Sequence, residues 1–271
     1  MKSSRIFAMA ALVALGAAPA VFGNVPAKVE MTNGQVYECK IRWMPASKKY
    51  AITRAAGAGG AAVEQQVSPS DIVRKQIAPP AGWRELLQQA SKAPDAALPR
   101  LLQLVDEYKM LDYDEQAAYV IGQIYLKRDK YDDFIKVAEK VVQDNPDAAA
   151  VSVMAPLYWT SLIETGKTAG GQLEKMLDGA VASAPSGVAA KALVARGDLL
   201  KKAGRTRDAL KDGYLRAVFM YGREKEAHAE ALYKAAAAFD ELQQAPYADK
   251  MRQKLLTQYK DSPYAQKLRG N

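Results

Sequence analysis

The chain has 271 residues, with 38 Lys and Arg against 30 Asp and Glu, a formal net charge of +8, one Cys and one His. One cysteine excludes an intramolecular disulfide and one histidine excludes a histidine-rich metal centre, so stability must come from packing. The length suffices for a sizeable core or for two modules.

The sequence opens MKSSRIFAMAALVALGAAPAVFGN, in which Lys2 and Arg5 precede an apolar run from Phe7 to Ala18 and then small residues. That is the layout of a secretory signal peptide, residues 1–23, with cleavage expected after Ala20 or Gly23. A bilayer span needs about 20 apolar residues, and this run is shorter, so no transmembrane segment is expected in the mature chain. No cysteine near the cleavage region would accept an acyl chain. Export is therefore expected, to the periplasm or an equivalent compartment, including association with the outer membrane. Cleavage lowers the charge from +8 to +6, and residues 24–80 hold eight basic against four acidic residues. Such a balance suits an anionic envelope surface better than nucleic acid.

Residues 24–80 read as a small β domain. Tyr37 to Trp43 alternates apolar and charged residues, the period of a half-buried strand, and Asn33-Gly34 before it is a hairpin signal because both residues tolerate positive φ. Tyr50 to Thr53, Val63 to Val67 and Ile72 to Ile77 are predicted as further strands, and Ala78-Pro79-Pro80 ends the region. Cys39 shares a face with Tyr37, Ile41 and Trp43 and is expected to be buried and inert. The loop AAGAGGAA, Ala55 to Ala62, lacks the Gly-Lys-Ser/Thr ending of a phosphate-binding loop and is read as a flexible hairpin loop. The run of strands, ending in SPSDIVRKQI, resembles small SH3-like or Sm-like barrels.

From Trp83 the period becomes helical. WRELLQQASKA and DAALPRLLQLVDEYKML are amphipathic segments separated by Pro94, and helical patterns continue almost to the end, which predicts hairpins that bury their apolar faces on neighbours. In residues 115–146, Gly122, Tyr125, Tyr131 and the terminal Pro146 are spaced as in the tetratricopeptide repeat, which they resemble. Gly122 lets two helices approach, Tyr125 fills the adjoining space, and Pro146 ends the second helix. Phe134 and Ala138 depart from the family by reversing its usual order of small and large residues. A second match starts at Ala190, with Leu193, Gly197, Gly204 and Ala209, and a third near Ala229, with Leu232, Ala236, Phe239 and Ala248. Between them, PLYWTSLIETGKTAGGQLEKMLDGAVASAP reads as a degenerate unit with a long turn at Thr165 to Gly171, in which Tyr158 and Trp159 are core. Residues 83–113 supply a capping hairpin. The fold class is thus mainly α, a helical-hairpin solenoid over residues 81–271 behind a small β-barrel-like domain.

The tail LLTQYKDSPYAQKL is similar to that of bacterial envelope tetratricopeptide proteins associated with the Tol-Pal system and with outer-membrane protein assembly. The resemblance implies a non-catalytic adaptor or scaffold for protein–protein interaction, whose first helices form a concave groove. Carried over to this chain, the groove positions are Gln116, Tyr119, Gln123, Leu126 and Lys127; Lys191, Val194, Asp198, Lys201 and Lys202; and Glu230, Tyr233, Ala237, Asp240 and Glu241. Tyr119 and Tyr233 are the expected anchors, and the expected partner is a protein or peptide of the envelope. The alternative is an accessory binder of anionic glycan or lipid acting through the basic β module, with Arg42, Lys48 and Lys49, or through Lys201, Lys202, Arg205 and Arg207.

No catalytic, cofactor or metal site is expected. His228 lies in AHAE, without the second histidine of a zinc-protease helix, and no G-x-S-x-G turn accompanies it, so it is read as a surface or groove histidine. Asp132-Asp133 and Glu224-x-Glu226 sit beside basic residues, as ordinary polar faces do.

Overall fold

The computed structural model describes residues 24–55 and 61–270. The signal-like segment and the glycines of the 55–62 loop lie outside them.

Strands β1 (Val25–Met31), β2 (Val36–Met44), β3 (Lys49–Arg54), β4 (Val63–Val67) and β5 (Ile72–Ile77) form one antiparallel sheet in the order β4-β3-β2-β1-β5. Asn33-Gly34 makes the expected turn between β1 and β2. Gly34 sits at φ +80°, and the Asn33 side-chain oxygen accepts the Gln35 amide at 3.0 Å. Alternation places Ile41 and Trp43 inside, with Trp43 opposite Tyr50 across the β2–β3 ladder. A short 3-10 turn, Pro69–Asp71, brings the chain from the β4 edge across to pair β5 with β1. Cys39 is half-buried rather than buried; its sulfur lies 3.6 Å from the Ala27 carbonyl, and desolvation raises the thiol pKa although Arg54 opposes the shift.

The rest is helical: α1 (Trp83–Lys92), α2 (Pro94–Glu107), α3 (Tyr113–Leu126), α4 (Tyr131–Asp144), the short α5 (Ala148–Val151), α6 (Ala155–Thr165), α7 (Gln172–Ser183) and α8 (Ser186–Lys202). A composite helix follows, made of α9 (Thr206–Asp208), a π-helical turn (Ala209–Tyr214) and α10 (Leu215–Met220), and then α11 (Lys225–Glu241), α12 (Ala245–Gln258) and α13 (Pro263–Gly270). Helices α1, α3, α6, α8 and α11 touch one another in that order; α1, α3, α8 and α11 each pack against the helix that follows them, whereas α7, which follows α6, packs on α5 and α8.

Small residues set the closest contacts. A Cβ on Gly122 would lie 2.7 Å from the Phe134 ring of α4 and 2.8 Å from Leu157 of α6. Phe134, fully buried, fills the room that Gly122 leaves, so the reversed order of large and small residues still packs. Trp159 is also fully buried, and its indole N–H donates to the Ala149 carbonyl at 2.7 Å. Between α8 and the π turn two glycines meet directly: a Cβ on Gly213 would lie 2.5 Å from the Gly197 Cα and backbone nitrogen.

Sheet and helices share one core. Val29, Ile41, Trp43, Tyr50 and Ile52 pack in the same cluster as Leu101, Leu104 and Leu111. Polar ties reinforce the contact. The Trp43 indole N–H donates to the Asp144 carboxylate at 3.2 Å, and the Met110 carbonyl accepts both the Tyr50 hydroxyl at 2.9 Å and the Lys75 ammonium at 3.0 Å. Met110 and Asp112, in the α2–α3 loop, adopt φ of 60° and 69°, a conformation that non-glycine residues adopt at a cost and that these contacts offset.

Candidate functional site

A concave groove of about 1070 Å³ runs along α1, α3, α6, α8 and the start of α11. Helix periodicity explains why α3 contributes most. Gln116, Tyr119, Gln123 and Lys127 recur at three- or four-residue intervals and face the groove, while Ala117, Ala118 and Ile121 turn into the core. Apolar walls come from Trp83 and Leu87 of α1, Val120 and Ile124 of α3, Leu157 of α6 and Val188 of α8. The Gln123 amide donates to the Tyr119 hydroxyl at 3.0 Å and so orients the ring's polar end.

Most charges around the groove already have partners. Lys191 pairs with Glu226 at 2.8 Å and Glu230 at 2.7 Å, Arg128 with Asp95 at 2.5 Å, and the Glu224 carboxylate accepts the Ser186 hydroxyl. Lys127, Lys225 and Glu224 form no ion pair among the described residues. The groove therefore offers an apolar wall, two amides, a tyrosine and unpaired charges of both signs.

Of the twelve charged and polar positions carried over from the family, Gln116, Tyr119, Gln123, Lys127 and Lys191 line this groove. The other seven join helices to one another. Asp198 of α8 and Glu230 of α11 both bind Lys234, at 2.5 and 2.8 Å, and the Tyr214 hydroxyl donates to Asp198 at 2.8 Å. Burial alone would raise Glu230, but the Lys234 and Lys191 charges outweigh it and hold its carboxyl down at about 2. For Asp198 desolvation wins, and its pKa is raised despite Lys234. Lys201 pairs with Glu241 at 2.7 Å, Lys202 donates to the Ile163 and Glu164 carbonyls at 2.6 and 2.9 Å, and Asp240 pairs with Arg252. Tyr233 packs against Tyr264 with ring centres 5.7 Å apart. Val194, expected in the groove, is instead core beside Leu193 and Tyr214; Leu126 is half-buried against the main cluster and Ala237 is partly exposed.

His228 is not on the surface or in the groove. It is 2 % exposed, its Nδ1 lies 2.6 Å from the Tyr259 hydroxyl, and the two rings meet edge to face. Burial lowers its pKa, with the Lys254 charge adding to the effect, so the imidazole is neutral. No local signal marks this, because Tyr259 reaches it from the end of α12, 31 residues away. Asp114, 3 % exposed at the sheet–helix junction, was equally invisible as a buried acid in a polar-looking helix start.

In the basic β module, Arg42 pairs with Glu64 and Arg74 with Glu30, each at 2.8 Å, Lys75 pairs with Asp112, and Arg54 lies over the Tyr37 ring. Lys48 and Lys49 sit at the β2–β3 turn. Among the described residues no cluster of three or more His, Cys, Asp or Glu can hold a metal ion, and no helix is long and apolar enough to cross a membrane. No protein-family model matches the chain, and no curated protein is significantly similar to it.

Proposed function

We propose that this protein is an exported, non-catalytic adaptor of the bacterial cell envelope, built as a tetratricopeptide-like solenoid behind an SH3-like β module, and that its groove binds a segment of a partner protein. The observation that carries the reading is the continuity of the groove: five successive first helices contribute to one concave volume of about 1070 Å³. Support for the β module comes from β5 returning beside β1 through a 3-10 turn. The groove's chemistry suits a helical or extended segment with apolar side chains and charged groups of both signs, since Lys127, Lys225 and Glu224 line it without ion-pair partners among the described residues. Tyr119 is the anchor, being an aromatic residue with a positioned hydroxyl beside apolar walls.

The test is a cross-linked pull-down from envelope fractions, followed by affinity measurement with the recovered partner. A Tyr119→Ala, Lys127→Ala double variant is expected to lose the partner, with affinity reduced roughly 30-fold or more as for an interface anchor. Lys136→Ala, which removes only the exposed pair with Asp133 on α4, is expected to retain it. Undiminished binding by the double variant would refute the groove.

A further inference from the structure

A second concavity, of about 490 Å³, opens between the α9–α10 composite helix and the C-terminal end of α11. Leucines and Phe239 form its floor. Phe219 and Met220 stand out at its edge, 75 % and 58 % exposed, the two most exposed large hydrophobic side chains on the helices among the described residues. Arg207, Lys211, Arg216 and Gln244 complete the lining, and none of the three cations forms an ion pair among the described residues. No acidic residue lines the concavity. Of the acids on the same helix, Asp208 pairs with Arg205 at 2.7 Å and Asp212 lies outside the lining.

This arrangement differs from the neighbouring basic residues. Lys201 ties α8 to α11 and Lys202 ties α8 to α6, and Arg205 pairs locally with Asp208, whereas Arg207, Lys211 and Arg216 have no ion-pair partner among the described residues. Adjacent exposed apolar side chains forfeit burial, and three cations without an acid repel one another. Both costs vanish at a surface that is anionic outside and hydrocarbon within. The apolar pair protrudes, as side chains entering a fluid surface do, and the flanking charges need only general attraction to many acceptors.

We propose that the α10 face docks on a bilayer containing anionic phospholipid, with Phe219 and Met220 entering the headgroup–acyl boundary and Arg207, Lys211 and Arg216 lying among the lipid phosphates. The site is separate from the groove and does not depend on its occupant.

Vesicle flotation tests it, using the chain from residue 24 onward, which contains every strand and helix of the core and omits the apolar run at Phe7 to Ala18. The vesicles are phosphatidylcholine alone, or phosphatidylcholine with about 30 % phosphatidylglycerol. Binding is expected only to the anionic vesicles and is expected to weaken as salt rises. Loss of each cation should cost roughly five-fold in affinity, so Arg207→Ala, Lys211→Ala and Arg216→Ala together should cost about 100-fold. Phe219→Ser with Met220→Ser should cost about ten-fold or more, because exposed positions fold unchanged but insertion is lost. A Phe219→Trp variant should show a blue-shifted emission on anionic vesicles, and Tyr119→Ala should bind them like the wild type. The proposal is overturned by absent binding, by equal binding to neutral vesicles, by cation or apolar variants that bind normally, or by capture of a protein on this face without vesicle binding.

Discussion

Gly213→Ala is expected to destabilise the protein by about 3 kcal/mol or more, measured by chemical denaturation, the usual upper range for overpacking in a close-packed interior. The added methyl would lie 2.5 Å from the Cα and nitrogen of Gly197 and 3.0 Å from the Leu193 carbonyl. All three are backbone atoms, so no side chain can rotate away; α8 and the π turn would have to separate. Separation would also pull Tyr214 from Asp198, whose other carboxylate oxygen holds Lys234 of α11. Gly197→Ala tests the same joint from the opposite side, because its methyl would fall 2.3 Å from the Tyr214 ring. The control is Gly179→Ala in α7, where the nearest atom is the Ala150 Cβ at 3.7 Å. That change should be neutral or stabilise by up to about 0.8 kcal/mol through helix propensity. If Gly213→Ala behaved like Gly179→Ala, the direct contact of α8 with the π turn would be wrong.

Local periodicity made some of this structure legible and left the rest hidden. The strands at Val63–Val67 and Ile72–Ile77 coincide with their predicted limits because alternation and flanking turn residues are local properties. The strand order is not local. Neither is the merging of sheet and helices into one core, since Trp43 meets Asp144 across 101 residues of sequence. Gly122 announced a close helix contact and makes one. Gly213 did not, because a π turn shifts the helical register by a residue and removes the four-residue spacing by which a reader places side chains.

The same distinction divides the groove. Gln116, Tyr119, Gln123 and Lys127 line one concavity because a single helix fixes their relation. Lys191 and Asp198 of α8 and Glu230 of α11 are charged residues expected to face a partner in the groove. In three dimensions those helices lie side by side, and the opposite charges interlock through Lys191 and Lys234. A charge pattern read along one helix is only a binding surface if the neighbouring helix does not neutralise it. That condition depends on inter-helix register, which no single segment carries.

Asp114→Asn is expected to flatten the stability–pH profile and to make the protein more stable than wild type in mild alkali. Asp114 accepts the Met110 amide at 2.8 Å through one oxygen, while its other oxygen is buried without a hydrogen-bond partner among the described residues. Desolvation raises its pKa to about 7; the Met110 bond and Lys75 oppose the shift and Glu115 reinforces it. Unfolded, the same carboxyl releases its proton near its ordinary value of 3.8. Between those limits the folded chain binds more protons than the unfolded chain, so this group makes stability fall as pH rises. The integrated loss is about 4 kcal/mol, of which about 3 kcal/mol lies between about pH 4.5 and about pH 8. Asparagine keeps the acceptor for Met110 and cannot ionise, so the wild-type and variant curves should diverge by roughly 3 kcal/mol across that range, in favour of the variant at high pH. Parallel curves would show that Asp114 ionises normally. The position gives the effect structural reach. Met110 binds Asp114 through its amide and Tyr50 and Lys75 of the sheet through its carbonyl, so a charge at Asp114 loads the loop that joins sheet to helices. Hydrogen exchange at the Met110 amide should therefore quicken with pH beyond its intrinsic dependence in the wild type and follow that dependence alone in the variant.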